Sequence, residues 1–201
     1  MIESVSYVIL LMSSSLAAVW LLKRLKSTEP ETHYKVRVFA LSSLFVTAYA
    51  LTHLVLTPGP HQTTLLQMTE NLSVYVALPF IATVFLATGK QWHWSMAGWG
   101  RWLLGLIAFF ELSRAMEYAV LYAQVLSIAL ILALFAGSLL FKNTTAKVKG
   151  LSGALIASIG LVFFAFIPLI GTAGNPIFFN FALAAFIPLA ASALLDEFSK
   201  T

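Results

Sequence analysis

Apolar stretches of about 20 residues, the length a helix needs to cross the hydrocarbon layer of a bilayer, run through this chain with short polar breaks between them. Of the 12 Lys and Arg residues, all but Arg114 fall in alternate breaks. In order, the breaks read basic, neutral, basic, mixed, basic, neutral and basic. Cytoplasmic loops hold the excess of Lys and Arg, so this alternation predicts a basic inner side, an N-terminus outside and a C-terminus in the cytoplasm. The expected fold is all-α: a polytopic integral membrane protein, a bundle of seven transmembrane helices forming one domain over residues 1–201. A bacterial inner (cytoplasmic) membrane is the expected location.

Hydrophobic residues make up 60% of the chain and charged residues 10%, against roughly 25% charged in an ordinary soluble domain. So few charges cannot cover a soluble exterior, and the exterior must be lipid. A net charge of +4 raises the question of nucleic acid. The basic residues, however, sit in short loops beside apolar spans, where they set topology and meet anionic lipid. No nucleic-acid partner is expected. Cysteine is absent, which excludes disulfides, thiolate catalysis and iron–sulfur ligation. Glu3 precedes the first span, and Lys23, Arg24 and Lys26 follow it. That is the charge order of an uncleaved span and the reverse of a secretory signal.

The spans are expected at about 4–22, 38–57, 63–88, 95–113, 117–141, 150–170 and 176–195. Thr57-Pro58-Gly59-Pro60 ends the second, and Gly89 is a candidate C-terminal stop for the third. As one helix, residues 101–141 would extend about 60 Å, twice the hydrocarbon thickness. Their one polar break is Glu111 to Tyr118, where a tight outer turn is expected. Pro176 should stand near the first helical position of the seventh span. Pro79, Pro168 and Pro188 are expected inside spans, where each removes a backbone hydrogen bond. The pentapeptide Ala165-Phe166-Ile167-Pro168-Leu169 recurs as Ala185-Phe186-Ile187-Pro188-Leu189. The copies lie in spans of opposite direction, and no function is expected of them. All 5 tryptophans map to the inner interface, as half of an aromatic belt.

Charged groups at membrane depth are costly and mark functional candidates. Here they collect toward the outer side. Glu70 lies roughly 10 Å into the third span, followed by Asn71, with Gln67 one turn outward. His53 lies one turn inside the outer end of the second span, with Tyr49 on the same face. Glu111, Arg114, Glu117 and Tyr118 cluster where spans four and five join; Asn175 and Asn180 begin the seventh, and His61 sits in an outer loop. Residues of one depth can converge on a pocket. Glu70, Glu111 and Glu117 against Arg114 leave a negative balance, which favours a cation, a proton or an amine-bearing ligand. The plain alternative reads Glu111, Arg114 and Glu117 as a solvated turn and His53 as an interfacial histidine.

No HExxH zinc pair and no Gly-rich phosphate loop occur, and no metal site is expected. The topology is similar to that of microbial rhodopsins, but a retinal Schiff base needs a lysine in the last span, which has none. No retinal Schiff base is expected, and the identity of any other cofactor is left open. Seven-helix amide hydrolases of the alkaline ceramidase kind carry a histidine pair in the last span, also absent here.

Three functions compete. A sensor or small transporter would bind a small ligand, cation or proton in an outward-facing polar pocket. An accessory or assembly subunit would turn the same residues toward a membrane-protein partner or a second copy of the chain within the lipid bilayer. An intramembrane enzyme would need Glu70 and His53 within about 3–5 Å of each other, directly or through water.

Overall fold

Inside a bilayer the backbone must satisfy its own N–H and C=O groups, and a helix does so within one segment. In the computed structural model 86% of the chain is helical, with no strands among the described residues. The structure describes residues 2–25, 29–56, 59, 62–171 and 173–199. Thr57, Pro58 and Pro60 of the expected turn, the candidate His61, and Lys26 and Lys200 lie outside the described residues.

Among those residues the long helices are α1 (Ile2–Arg24), α2 (His33–Val55), α3 (Gln62–Gly89), α4 (Met96–Ala115), α5 (Ala119–Leu139), α6 (Thr144–Phe164) and α7 (Pro176–Phe198). Six of them are long and apolar enough to span a membrane. The remaining one, α4, contains Arg101, Glu111 and Arg114 and is less apolar. The fold is therefore all-helical, with six to seven helices of membrane-spanning character.

The six apolar helices close on themselves: α1 packs on α2 and α7, α2 on α3, α3 on α5, α5 on α6, and α6 on α7. Helix α4 stands outside this cycle. It is held against α3 by Trp99 edge-on to Phe80, Phe110 stacked on Tyr75 at 4.3 Å, and Trp102 Nε1 donating to Thr83 Oγ1 at 3.1 Å. Its ends follow from local chemistry. Ser95 accepts from the Gly98 N–H at the start, and Glu117 (φ 63) turns the chain at the end.

Helix α3 ends at Gly89, the expected stop, but Gly89 is not its left-handed residue. A Cβ on Gly89 would lie 2.6 Å from Leu140 Cβ, so this glycine permits close contact with the end of α5. The left-handed stop falls instead on Gln91 (φ 56), where Trp92 N–H reaches Ala87 O and Gln91 N–H reaches Thr88 O. Helix α2 begins earlier than residue 38, at His33. In its first turn Lys35 is buried and donates from Nζ to Ala87 O at 3.1 Å, a second donor beside Trp92 N–H on a carbonyl at the C-terminal end of α3.

The prolines part company. A π turn at Ser73–Ala77 precedes Pro79 in α3, which relieves the clash of the ring with the preceding turn. In α6 a π turn at Gly160–Phe164 is the last of the helix. Pro168, expected inside a span that reaches 170, lies in a non-helical segment. That segment is tied back by Ile170 N–H to Val162 O at 2.9 Å and Asn175 N–H to Phe164 O at 3.0 Å. Gly174 is seated there because a Cβ would fall on the Ala165 carbonyl. Pro188 remains inside α7. It deprives the Ala184 carbonyl of its helical donor, and the Ser13 hydroxyl of α1 donates to that oxygen instead.

Candidate functional site

At the end of the bundle remote from most of the lysines, α1, α2 and α7 meet around a polar and aromatic cluster. Tyr49 and His53 are four residues apart on one face of α2, so their rings are neighbours. They meet edge-on with centroids 4.7 Å apart. Tyr7 of α1 stacks on His53 at 5.0 Å with planes 15° apart. The Tyr49 hydroxyl donates to Asn180 Oδ1 at 3.2 Å, and Asn180 Nδ2 donates to Ser6 Oγ at 3.1 Å. Ser6, Tyr49 and Asn180 are all 0% exposed. Phe166 closes over Tyr49 from the non-helical segment, its ring edge-on at 6.0 Å. These side chains are packed on one another.

Two groups in this region lack hydrogen-bond partners. His53 Nε2 is buried without one among the described residues. Glu70, half-buried in α3 about 12 Å from the helix start, has neither a hydrogen bond nor an ion pair to its carboxylate among the described residues. It lies within electrostatic range of Tyr7, Tyr49 and Tyr75. His53, by contrast, is in electrostatic range of Glu3. Asn71, beside Glu70 in sequence, is half-buried. Next to Glu70, Thr69 and Thr52 join α3 to α2 through their hydroxyls at 2.8 Å.

The other expected members stand apart. Glu111 and Arg114 pair with each other, Arg114 Nε donating to Glu111 Oε2 at 3.1 Å, and both are exposed. Glu117 and Tyr118 are exposed in the turn between α4 and α5. Asn175 caps α7 by accepting from Ile177 N–H at 3.1 Å. The structure thus brings together Tyr49, His53 and Asn180 with Glu70 in range, and leaves Glu111, Arg114 and Glu117 on the surface.

Sequence reasoning passed over Ser6 and Tyr7, which complete the cluster from α1, and Lys35, which counts in the sequence as one more loop charge. At the basic end Lys35 lines a cavity of about 220 Å³ with Glu29, Glu31, Thr88, Gln91, His93 and Glu197. Glu197 accepts from the backbone N–H groups of Lys142 and Asn143, each at 2.9 Å, and Glu31 faces His93 Nε2 at 3.2 Å. Among the described residues no group of three or more His, Asp or Glu side chains is placed to hold a metal ion. No protein-family model, curated protein or solved structure matches the chain.

Proposed function

We propose that this chain is a membrane protein that binds and releases a proton at Glu70, as a proton sensor or a proton-coupled carrier. The observation that carries this reading is the Glu70 carboxylate itself. It is half-buried in a helix long and apolar enough to span a membrane, has no hydrogen-bond or ion-pair partner among the described residues, and lies within electrostatic range of three tyrosines. An intramembrane carboxylate is costly to keep without a use. The tight packing of the neighbouring cluster favours a proton over a larger ligand. Tyr7, Tyr49 and Asn180 then form the element that responds, because they join α1, α2 and α7.

The charge alternation orients the chain with its N-terminus and Glu70 toward the outside and its C-terminus in the cytoplasm, in a cytoplasmic membrane. The accessory-subunit reading keeps one observation: α4 sits outside the helix cycle and exposes Leu104, Phe109 and Leu112, a face that another membrane protein would cover.

Proteoliposomes loaded with a pH-sensitive dye test the proposal. A carrier acidifies or alkalinises the lumen under an imposed gradient, and Glu70→Gln abolishes the flux. A sensor gives no flux but a pH-dependent change in tyrosine fluorescence that Glu70→Gln removes. Neither response, together with co-purification of a second membrane protein that is lost on substitution of Phe109, favours the accessory subunit.

A further inference from the structure

The basic end of the molecule separates its charges. The carboxylates Glu29, Glu31 and Glu197 line the cavity beside Lys35, whereas the groove between α2 and α4 has none. That groove, about 210 Å³, is walled by Val38, Leu41, Phe80, Trp99 and Leu103, with Tyr34 and Arg37 as its polar members. It runs alongside the first two turns of both helices. The rise from Tyr34 to Leu41, and from Met96 to Leu103, is about 10 Å. A Cβ on Gly100 would meet nothing within 4 Å, so the floor of the groove is open at that point.

Arg37 is a donor in need of an acceptor. Arg37 is exposed and makes no ion pair or hydrogen bond among the described residues. Trp99 is 4% exposed, and its indole N–H is buried without an acceptor. Buried this deep, the N–H is out of reach of an occupant, and Trp99 serves the groove as an apolar wall. The groove therefore calls for an occupant with an apolar tail, acceptor oxygens and negative charge.

We propose that this groove is a specific site for one anionic phospholipid, with an acyl chain against Phe80, Trp99 and Leu103 and the phosphate at Arg37 and Tyr34. Basic positions between membrane helices bind anionic headgroups in this manner. The site also accounts for the loose attachment of α4: the lipid fills the space between α4 and α2 that side chains leave open. It depends on the chain lying in a membrane and is independent of Glu70.

Native mass spectrometry of the purified full chain, delipidated in an equimolar mixture of phosphatidylglycerol and phosphatidylcholine, tests the site. The unaltered chain retains one phosphatidylglycerol, preferred about five-fold over phosphatidylcholine, the selectivity expected of one arginine near a membrane surface. Arg37→Gln brings the two lipids to parity. Gly100→Leu, whose side chain enters the open floor, removes both. Trp99→Phe keeps the apolar wall and leaves the preference intact. Arg101→Gln removes the same charge outside this groove and leaves the preference intact. Equal retention of both lipids by the unaltered chain would overturn the proposal. Equal loss in Arg37→Gln and Arg101→Gln would also overturn it, because it would mean a diffuse surface field.

Discussion

The Ser13 hydroxyl of α1 donates to the Ala184 carbonyl of α7, the oxygen that Pro188 leaves without a helical partner. A proline inside a membrane helix is tolerable when another helix supplies the missing donor. Ser13 and Pro188 should therefore be coupled. Ser13→Ala is expected to destabilise the protein by about 1–2 kcal/mol, the cost of one buried unsatisfied carbonyl. In a Pro188→Ala background the helix regains a backbone N–H at position 188, and the same substitution should cost less than about half of that. Unfolding in mixed micelles with increasing SDS measures both. Equal costs in the two backgrounds would remove the coupling.

The Tyr49–Asn180 bond makes a second thermodynamic prediction. Both side chains are fully buried, and the bond joins α2 to α7. Tyr49→Phe and Asn180→Leu, each alone and together, form a cycle whose coupling should be about 0.6 kcal/mol and no more than about 1.7 kcal/mol, the range for hydrogen bonds between membrane helices. Asn180→Leu should be the costlier single change, because it also removes the bond that Asn180 Nδ2 donates to Ser6 Oγ at 3.1 Å, although the Ser6 hydroxyl keeps its own bond to the Glu3 carbonyl.

The turn between α4 and α5 predicts a gain. Glu117 holds φ 63 with its side chain exposed, a conformation that costs a non-glycine residue about 1 kcal/mol. Glu117→Gly should stabilise the protein by up to that amount in the same SDS titration. Glu117→Val, β-branched at a positive φ, should destabilise it.

How much of this could be read in the sequence differs from residue to residue. The break at Glu111 to Tyr118 was legible because it is the one polar interruption in a segment too long for a single helix, and the structure turns at Met116 to Tyr118. The fate of the repeated pentapeptide was not. Ala165–Leu169 is non-helical and Ala185–Leu189 is helical. The difference lies in Ser13, far away in sequence, and in the glycines Gly171 and Gly174 that let the first copy fold back. Tyr49, His53 and Asn180 could be picked out by depth alone. Ser6 and Tyr7 could not, because a serine and a tyrosine near the start of an apolar helix carry no signal until the partner helix is known. Lys35 was hidden for the opposite reason: among so many loop lysines, only its contact with the Ala87 carbonyl sets it apart.

The central claim is that Glu70 takes up and releases a proton within the bundle. Infrared difference spectroscopy of the reconstituted chain during a pH titration tests it most directly, because a protonated carboxyl has a C=O band distinct from that of a carboxylate. The account predicts a titrating carboxyl band that is present in the unaltered protein and in Glu111→Gln, and absent in Glu70→Gln, with a tyrosine change that disappears along with it. A carboxyl band that persists unchanged in Glu70→Gln would contradict the account.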